Sequence, residues 1–266
     1  MEKKLFSAAD IPLLEFDPDK KALIEPEVDA DYVLKRIKYS FPQYCVMPMY
    51  RTLFDHLIAK NEIRPIIEIP SSYEMIKLYE LKFQGKTLVV VNPGLGAPLA
   101  SATLEVMIEL GCRRFVACGS GGVLKPELKR GTVVIPDSAV RDEGTSYHYL
   151  PPSRTVEMNP SVVIKLENIL KKHHINYETG KVWTTDAFYR ETKKKIAERK
   201  AEKCLMVEME CAAFMAVAKF RNVVFGQYLG AGDDVSGDEW DPRFESNTMP
   251  FTEKLFWLSV EACLSL

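Results

Sequence analysis

The sequence predicts an α/β fold with a largely central sheet. Three observations carry that prediction. Short apolar runs recur at 86–92 (KTLVVVN), 115–119 (FVACG) and 132–136 (TVVIP), as in strands covered on both faces. Segments with apolar residues at helical spacing stand among them, and strands alternating with helices imply a central sheet. The patterned segments follow closely from residue 31 onward, with no repeat and no low-complexity linker.

Residues 1–30 are polar, with Pro12, Pro18 and Pro26 and alternating charge, and are expected to form an extended arm. Residues 31–266 are expected to form one domain. Helical spacing of Leu53, Phe54, Leu57 and Ile58 predicts a helix over 50–60. Strands are expected at 64–69, 75–83 and 86–92, the last two joined by a hairpin at Gln84-Gly85. A helix over 98–110 begins at Pro98 and ends at Gly111. Strands at 115–119 and 132–136 follow, then an amphipathic helix over 162–172 and a strand at 177–185. KKKIAERKA (193–201) reads as a solvated helix, CLMV as a short strand and MECAAFMAVAKF (209–220) as a buried helix. A strand over 222–232, an acidic loop and a helix over EKLFWLSVEACLSL close the chain.

Composition narrows the function. Lys plus Arg total 35 against 37 Asp plus Glu, so the chain lacks the basic excess of a nucleic-acid coat. No apolar run approaches the roughly 20 residues of a membrane span, and the N-terminus is too acidic for a signal peptide. Cys45, Cys112, Cys118, Cys204, Cys211 and Cys263 form no CxxC pair, which points to reduced, buried thiols and a cytoplasmic location. His56, His148, His173 and His174 show no metal spacing, so no metal is expected.

Three segments leave strand ends with unusual composition, where open α/β sheets bind ligands. Asn92-Pro93-Gly94-Leu95-Gly96-Ala97-Pro98 is either a tight strand-to-helix turn or an anion site at a helix N-terminus. Cys118-Gly119-Ser120-Gly121-Gly122-Val123 is either a turn or a nest of backbone N–H groups; its spacing is neither GxGxxG nor a P-loop. Glu208-Met209-Glu210 opens an alanine-rich helix. One carboxylate there could cap the helix, and a carboxylate can also accept bonds from two vicinal sugar hydroxyls. Arg141–His148, Thr185–Glu191 and Gly232-Asp233-Asp234 add further polar groups.

Together NPGLGAPLAS, FVACGSGGVL, GTVVIPDSAVRDEGTSYHY, WTTDAFY, VEMECAAF and the GAGDD loop resemble the uridine phosphorylase and hexameric-type purine nucleoside phosphorylase superfamily, closer to its uridine phosphorylase-like branch. The resemblance covers roughly residues 86–235, in the family's order. It implies a three-layer α/β/α fold with a mixed central sheet. The implied activity is phosphate-dependent cleavage of the N-glycosidic bond of a ribonucleoside, uridine or a purine nucleoside, to free base and ribose 1-phosphate. Inorganic phosphate is the co-substrate and no cofactor is expected. The partners implied are a small-molecule nucleoside, phosphate and further copies of the chain in a homodimer or homohexamer.

Carried over position by position, the resemblance gives Glu210 the ribose hydroxyls, Met209 the sugar face and Glu208 the support of that loop. Phe188 stacks on the base, and Arg190 and Glu191 stand where they could read it. Ser120 matches a phosphate-binding hydroxyl, with Gly94 and Gly121 beside it. Asp233, or Asp234, falls where the purine enzymes keep an acid for the departing base. His148 reaches toward the sugar or a subunit interface. The chain also departs from the pattern. Ala117 replaces an arginine, FDPDKK (16–21) is a faint echo of the family's Gly-Asp-Pro-x-x-Arg loop, and an arginine lent by a neighbouring subunit falls near Tyr73 or Glu74. Arg51, Arg64 and Lys77 are candidate replacements. Thr192 and Lys194 stand where the uridine enzymes read uracil with Gln and Arg. Two other readings therefore stay open: a nucleosidase of the same fold using water, and a non-catalytic nucleoside-binding protein.

Overall fold

The computed structural model describes residues 11–71, 75–243 and 249–266. The chain order is α1 (Glu27–Leu34), β1 (Tyr44–Pro48), α2 (Arg51–Ala59), β2 (Ile63–Ile69), β3 (Ile76–Phe83), β4 (Lys86–Val91) and α3 (Ala97–Glu109). It continues through β5 (Arg114–Val123), β6 (Val133–Asp142), β7 (Thr155–Glu157), α4 (Pro160–Lys172), β8 (Tyr177–Thr185) and α5 (Lys193–Ala201). β9 (Met206–Glu208), α6 (Cys211–Arg221), β10 (Val224–Asp234) and α7 (Met249–Ser265) complete it.

The strands form one mixed sheet in the order β10-β6-β8-β9-β5-β1-β4-β3-β2, with β7 on β6. β10 also pairs with β5, so β10, β6, β8, β9 and β5 close into a ring while β1, β4, β3 and β2 extend from it. β1, β4, β5 and β10 run parallel, and their carboxyl ends therefore share one rim. Helices cover both faces: α7 lies against β5 and β1, while α3 and α6 pack on each other elsewhere on the sheet. The α3–α6 contact is close because α6 presents Ala212, Ala213 and Ala216, all fully buried. The core is built mainly from apolar side chains, with Trp183, Phe115, Phe214 and Phe256 fully enclosed.

The Gln84-Gly85 hairpin forms as expected: both residues take positive φ, 47° and 72°, as a tight two-residue hairpin turn requires. α3 opens at Gly96 with Pro98 in its first turn and stops before Gly111, whose φ of 110° suits glycine. All six cysteines are free and buried. No helix among the described residues is long and apolar enough to cross a membrane.

Several boundaries differ from the sequence reading. The glycine cluster 119–122 is neither a turn nor a nest: it continues β5 to Val123. β10 runs beside it in parallel, with Gly230 opposite Ser120 and Ala231 opposite Gly121. A side chain on Gly121 would lie 2.4 Å from the Val207 carbonyl oxygen, and one on Gly232 would lie 2.8 Å from that of Gly121. Close backbone approach thus explains glycine at both positions. β6 likewise runs on past the expected 132–136 to Asp142, and β10 past 232 to Asp234, into the expected acidic loop. α1 begins at Glu27, inside the segment expected to be an extended arm, and the short β1 was not foreseen. α6 starts at Cys211 rather than Met209, and α7 at Met249 rather than Glu253.

Candidate active site

Strand register assembles the site. β9 runs antiparallel to β5 with Val207 opposite Gly122, so the chain leaving β9 passes beside Gly121 and Ser120. On the other side β8 places Thr184 against Glu208. Glu208 is buried and fully occupied. Its carboxylate accepts bonds from the Thr184 hydroxyl (2.5 Å) and from the backbone N–H groups of Glu210 (2.8 Å) and Cys211 (2.7 Å). Thr184 Oγ1 in turn accepts from the Ala212 N–H at 2.9 Å. Glu208 and Thr184 thus satisfy the free donors at the start of α6, and Glu208 serves as the cap. Burial, and then the neighbouring Glu210, push the Glu208 carboxyl well above its ordinary range.

Glu210 differs. It is also buried, and burial raises its carboxyl. The bonds it receives come from backbone: the Gly96 N–H at 2.6 Å, with the Met209 N–H also drawing on it. No side chain among the described residues bonds to its carboxylate. That single tie joins α6 to the loop before α3. The loop is itself fixed, because Asn92 Oδ1 accepts from the Gly94 N–H at 2.9 Å and Thr103 donates to the Pro93 carbonyl at 3.1 Å. Gly94 has φ of 89°, and a side chain there would overlap Leu99 at 2.3 Å. Met209 is half-buried between the two acids.

Ser120 is exposed near the carboxyl end of β5, within hydrogen-bond reach of the Tyr50 hydroxyl. Next to it, the Met49 N–H donates to the Cys118 carbonyl at 2.8 Å, continuing the β1–β5 ladder. Arg51 follows directly as the first residue of α2 and is exposed. Of the three candidate cations, Arg51 is therefore the one whose chain neighbours border Ser120. Arg64 and Lys77 sit on the β2–β3 hairpin at the sheet's far edge, where Lys77 approaches Glu68 at 3.6 Å. Positions 73 and 74 lie outside the described residues. FDPDKK does not border this rim: Lys20 lies over Phe220 and its carbonyl accepts from Arg221, at the opposite end of α6.

Beyond β8 the chain turns through Phe188, Tyr189 and Arg190. Phe188 is 46% exposed and its ring lies 4.1 Å from that of Tyr189. Arg190 is exposed, Glu191 is half-buried, and Thr192 caps α5 by accepting from the Lys195 N–H at 3.3 Å. Burial, and then Asp233, push the Glu191 carboxyl up to about 7. Asp233, near the end of β10, accepts from the Trp240 indole N–H at 2.6 Å. Asp234 is committed elsewhere, to Arg243 at 2.5 Å and to the Ser236 N–H at 2.8 Å. Burial works to raise its carboxyl, but those bonds outweigh it and hold Asp234 low.

Most of the Arg141–His148 stretch is spent on its own scaffold, although one Glu143 oxygen is buried without a hydrogen-bond partner among the described residues. Arg141 donates to the Ser146 and Ser153 hydroxyls (both 2.8 Å) and to the carbonyls of Pro151 (2.7 Å) and Leu150 (3.1 Å). Glu143 receives the Ser146 N–H, and Asp186 the Gly144 N–H. His148 is exposed on a turn that packs against α3 and α6. Tyr50, Thr184 and Trp240 were not singled out from the sequence. Thr184 carried a usable signal, a hydroxyl in a buried strand; Tyr50 opens a segment read only as a helix, and Trp240 stands in a segment with no pattern. A separate groove of about 560 Å³, lined by Glu157, Asn159, Asn222 and Phe225 among others, opens at the amino end of β10 and contains none of the site residues.

A family model described as the phosphorylase superfamily matches residues 48–256. The chain belongs to the phosphorylase superfamily. It is 24% identical over 192 residues to a guanosine phosphorylase of Halorubrum lacusprofundi, covering 68% of this chain and 78% of that one. It is 29% identical over 151 residues to a uridine phosphorylase of Treponema pallidum, covering 53% and 58%. Against the uridine phosphorylase of Escherichia coli it is 23% identical over 174 residues, covering 60% and 69%.

The chain carries the acidic Glu208-Met209-Glu210 turn at the exit of β9, beside Ser120. Chemically, the rim offers a carboxylate with unspent acceptor capacity, an exposed hydroxyl and an exposed aromatic face. These suit a polar ring that carries adjacent hydroxyls and a flat heterocycle.

Proposed function

We propose that this protein is a nucleoside phosphorylase. It would cleave the N-glycosidic bond of a ribonucleoside with inorganic phosphate, giving free base and ribose 1-phosphate. The observation that carries the reading is Glu210: a buried carboxylate that, among the described residues, accepts from backbone N–H groups and from no side chain, on the strand exit beside Ser120. A carboxylate has more acceptor positions than those bonds use, and two vicinal hydroxyls of a ligand can fill them.

In this reading Glu210 grips the ribose, and its charge steadies the cation-like sugar as the bond to the base breaks. Met209 packs on the sugar and Glu208 holds the turn in place. Phosphate sits at Ser120 with Gly94 and Gly121 nearby, and Arg51 supplies the positive charge that a buried phosphate needs. Phe188 stacks on the base, and Glu191 and Asp233 stand at the base end, where one carboxyl can give up a proton. Holding nucleoside and phosphate in line supplies much of the remaining acceleration. The base is a purine or uracil; the relatives named for guanosine and for uridine support both. A homodimer or homohexamer is the proposed assembly.

The test incubates the purified protein with guanosine, inosine, adenosine and uridine, with and without phosphate. Phosphate-dependent appearance of ribose 1-phosphate supports the reading. Base release at the same rate without phosphate assigns hydrolysis instead. No turnover of any nucleoside, with binding retained, leaves a nucleoside-binding protein.

A further inference from the structure

Two parts of the site leave the sheet on neighbouring strands. β8 runs into the turn that carries Phe188, and β9 into the turn that carries Glu210. The two strands are parallel, with Thr184 opposite Glu208. Thr184 is fully buried, and its hydroxyl is used twice. It donates to Glu208 Oε1 at 2.5 Å and accepts from the Ala212 N–H at 2.9 Å. The other Glu208 oxygen accepts the Glu210 N–H at 2.8 Å. Thr184 therefore reaches the backbone of Glu210 through a single carboxylate. The exit of β8 is held as well: Thr185 Oγ1 accepts from the Ala187 N–H at 3.3 Å, and Asp186 Oδ2 from the Gly144 N–H at 2.8 Å. Capping a helix start requires acceptors, and Glu208 already offers one oxygen to the N–H groups of Glu210 and Cys211. What Thr184 adds is a donor to Glu208 from the strand that carries the base turn.

We propose that Thr184 is a positioning residue for the ribose: acting through Glu208, it sets where the Glu210 carboxylate stands relative to the turn that holds the base. This rests on the phosphorylase reading. Glu210 is fixed at two points, its carboxylate by the Gly96 N–H at 2.6 Å and its backbone by Glu208. Without the Thr184 hydroxyl, Glu208 Oε1 loses its donor and the Ala212 N–H its acceptor, so the backbone point is freed. A carboxylate that must meet two vicinal hydroxyls at once tolerates less displacement than one that meets a single hydroxyl, and a shift of about 1 Å can cost about 100-fold in rate. Thr184 thereby sharpens the preference for ribose over 2′-deoxyribose.

The test measures phosphate-dependent turnover of guanosine against 2′-deoxyguanosine, and of uridine against 2′-deoxyuridine, in wild type, Thr184→Val, Thr184→Cys and Thr184→Ser. Valine keeps the branched shape without the hydroxyl, cysteine offers only a weak donor, and serine keeps the hydroxyl. A thermal melt checks that each variant is folded at the assay temperature; if Thr184→Val is not, Thr184→Cys takes its place. Thr184→Val should lower kcat/KM about 100-fold on the ribonucleoside and about tenfold on its 2′-deoxy counterpart, so that the preference for ribose narrows about tenfold. KM for phosphate should stay within about threefold of wild type, because the change lies on the sugar side. Thr184→Ser should restore the preference, with Thr184→Cys in between. Equal losses on the two sugars would make Thr184 scaffold and overturn the proposal, as would a preference left unchanged in a folded Thr184→Val. If wild type cleaves both sugars equally well with phosphate, there is no two-hydroxyl grip to place, and the proposal fails while the phosphorylase reading stands. If wild type shows no phosphate-dependent turnover of any of the four, the phosphorylase reading itself fails, and the proposal falls with it.

Discussion

Two stretches of this chain look equally charged with function: Arg141–His148 and Glu208–Glu210. Folded, they part company. Arg141 spends its guanidinium on two hydroxyls and two carbonyls, while Glu143 takes one backbone N–H and keeps its other oxygen buried without a hydrogen-bond partner among the described residues. Glu208 behaves like Arg141, with three donors on its carboxylate. Glu210, two residues on, keeps acceptor capacity in hand. Polar groups consumed internally build the rim; what sets Glu210 apart from Glu143 is its place on the strand exit beside Ser120.

Breaking the consumed side should cost stability. Arg141→Met removes four bonds from a buried guanidinium, one of them to the buried Ser146 hydroxyl and three to partly buried acceptors, for a loss of roughly 3–5 kcal/mol. A thermal melt should show a drop of about 10 °C or more. A shift of only a degree or two would mean that solvent already satisfies those groups.

Breaking the unspent side should cost activity. Glu210→Gln keeps an oxygen for the Gly96 N–H but removes the charge. We expect kcat/KM to fall about 10²–10³-fold, the worth of a preorganised transition-state contact, with the melting temperature little changed. Loss of folding with no separable loss of activity would place Glu210 with Glu208 as scaffold.

Gly94→Ala sharpens the contrast from the loop side. It combines a φ of 89° with overlap on Leu99, and should destabilise by about 1–3 kcal/mol. It should also weaken phosphate dependence, if the loop borders that ligand.

The smallest effect is a pH effect. The Glu191 carboxyl is raised from 4.5 to about 7 in the folded protein. Its favourable contribution is therefore complete below the unfolded value and disappears as pH rises through about 7. Relative to Glu191→Gln, wild type should lose about 1–2 kcal/mol between those limits, after allowing for partial solvent screening. Urea melts at pH 4.5 and pH 7.5 measure it, and an unchanged difference would contradict the burial of Glu191.

Much of this was written in local pattern. The sequence places β8 at 177–185 and α5 at 193–201, where the structure has them, because alternation and helical spacing are local properties. β1 escaped because five residues, Tyr44–Pro48, carry too little periodicity, yet it fills the gap between β4 and β5 and brings Tyr50 to Ser120. The glycines of β5 misled for the opposite reason. Glycine suggests a turn, whereas Gly121 and Gly232 serve strands packed too closely for a Cβ. Glu208 and Glu210 could be singled out as a pair, but their separate roles depend on Thr184 and Gly96, which sequence spacing does not connect. Asp233 and Asp234 divided in the same way, through Trp240 and Arg243.

The most direct measurement is a crystal structure with a nucleoside and phosphate bound together. The account predicts ribose hydroxyls on the Glu210 carboxylate and phosphate at the Ser120 hydroxyl, with Arg51 facing it. A sugar bound away from Glu210, or an anion seated without Ser120, would contradict it.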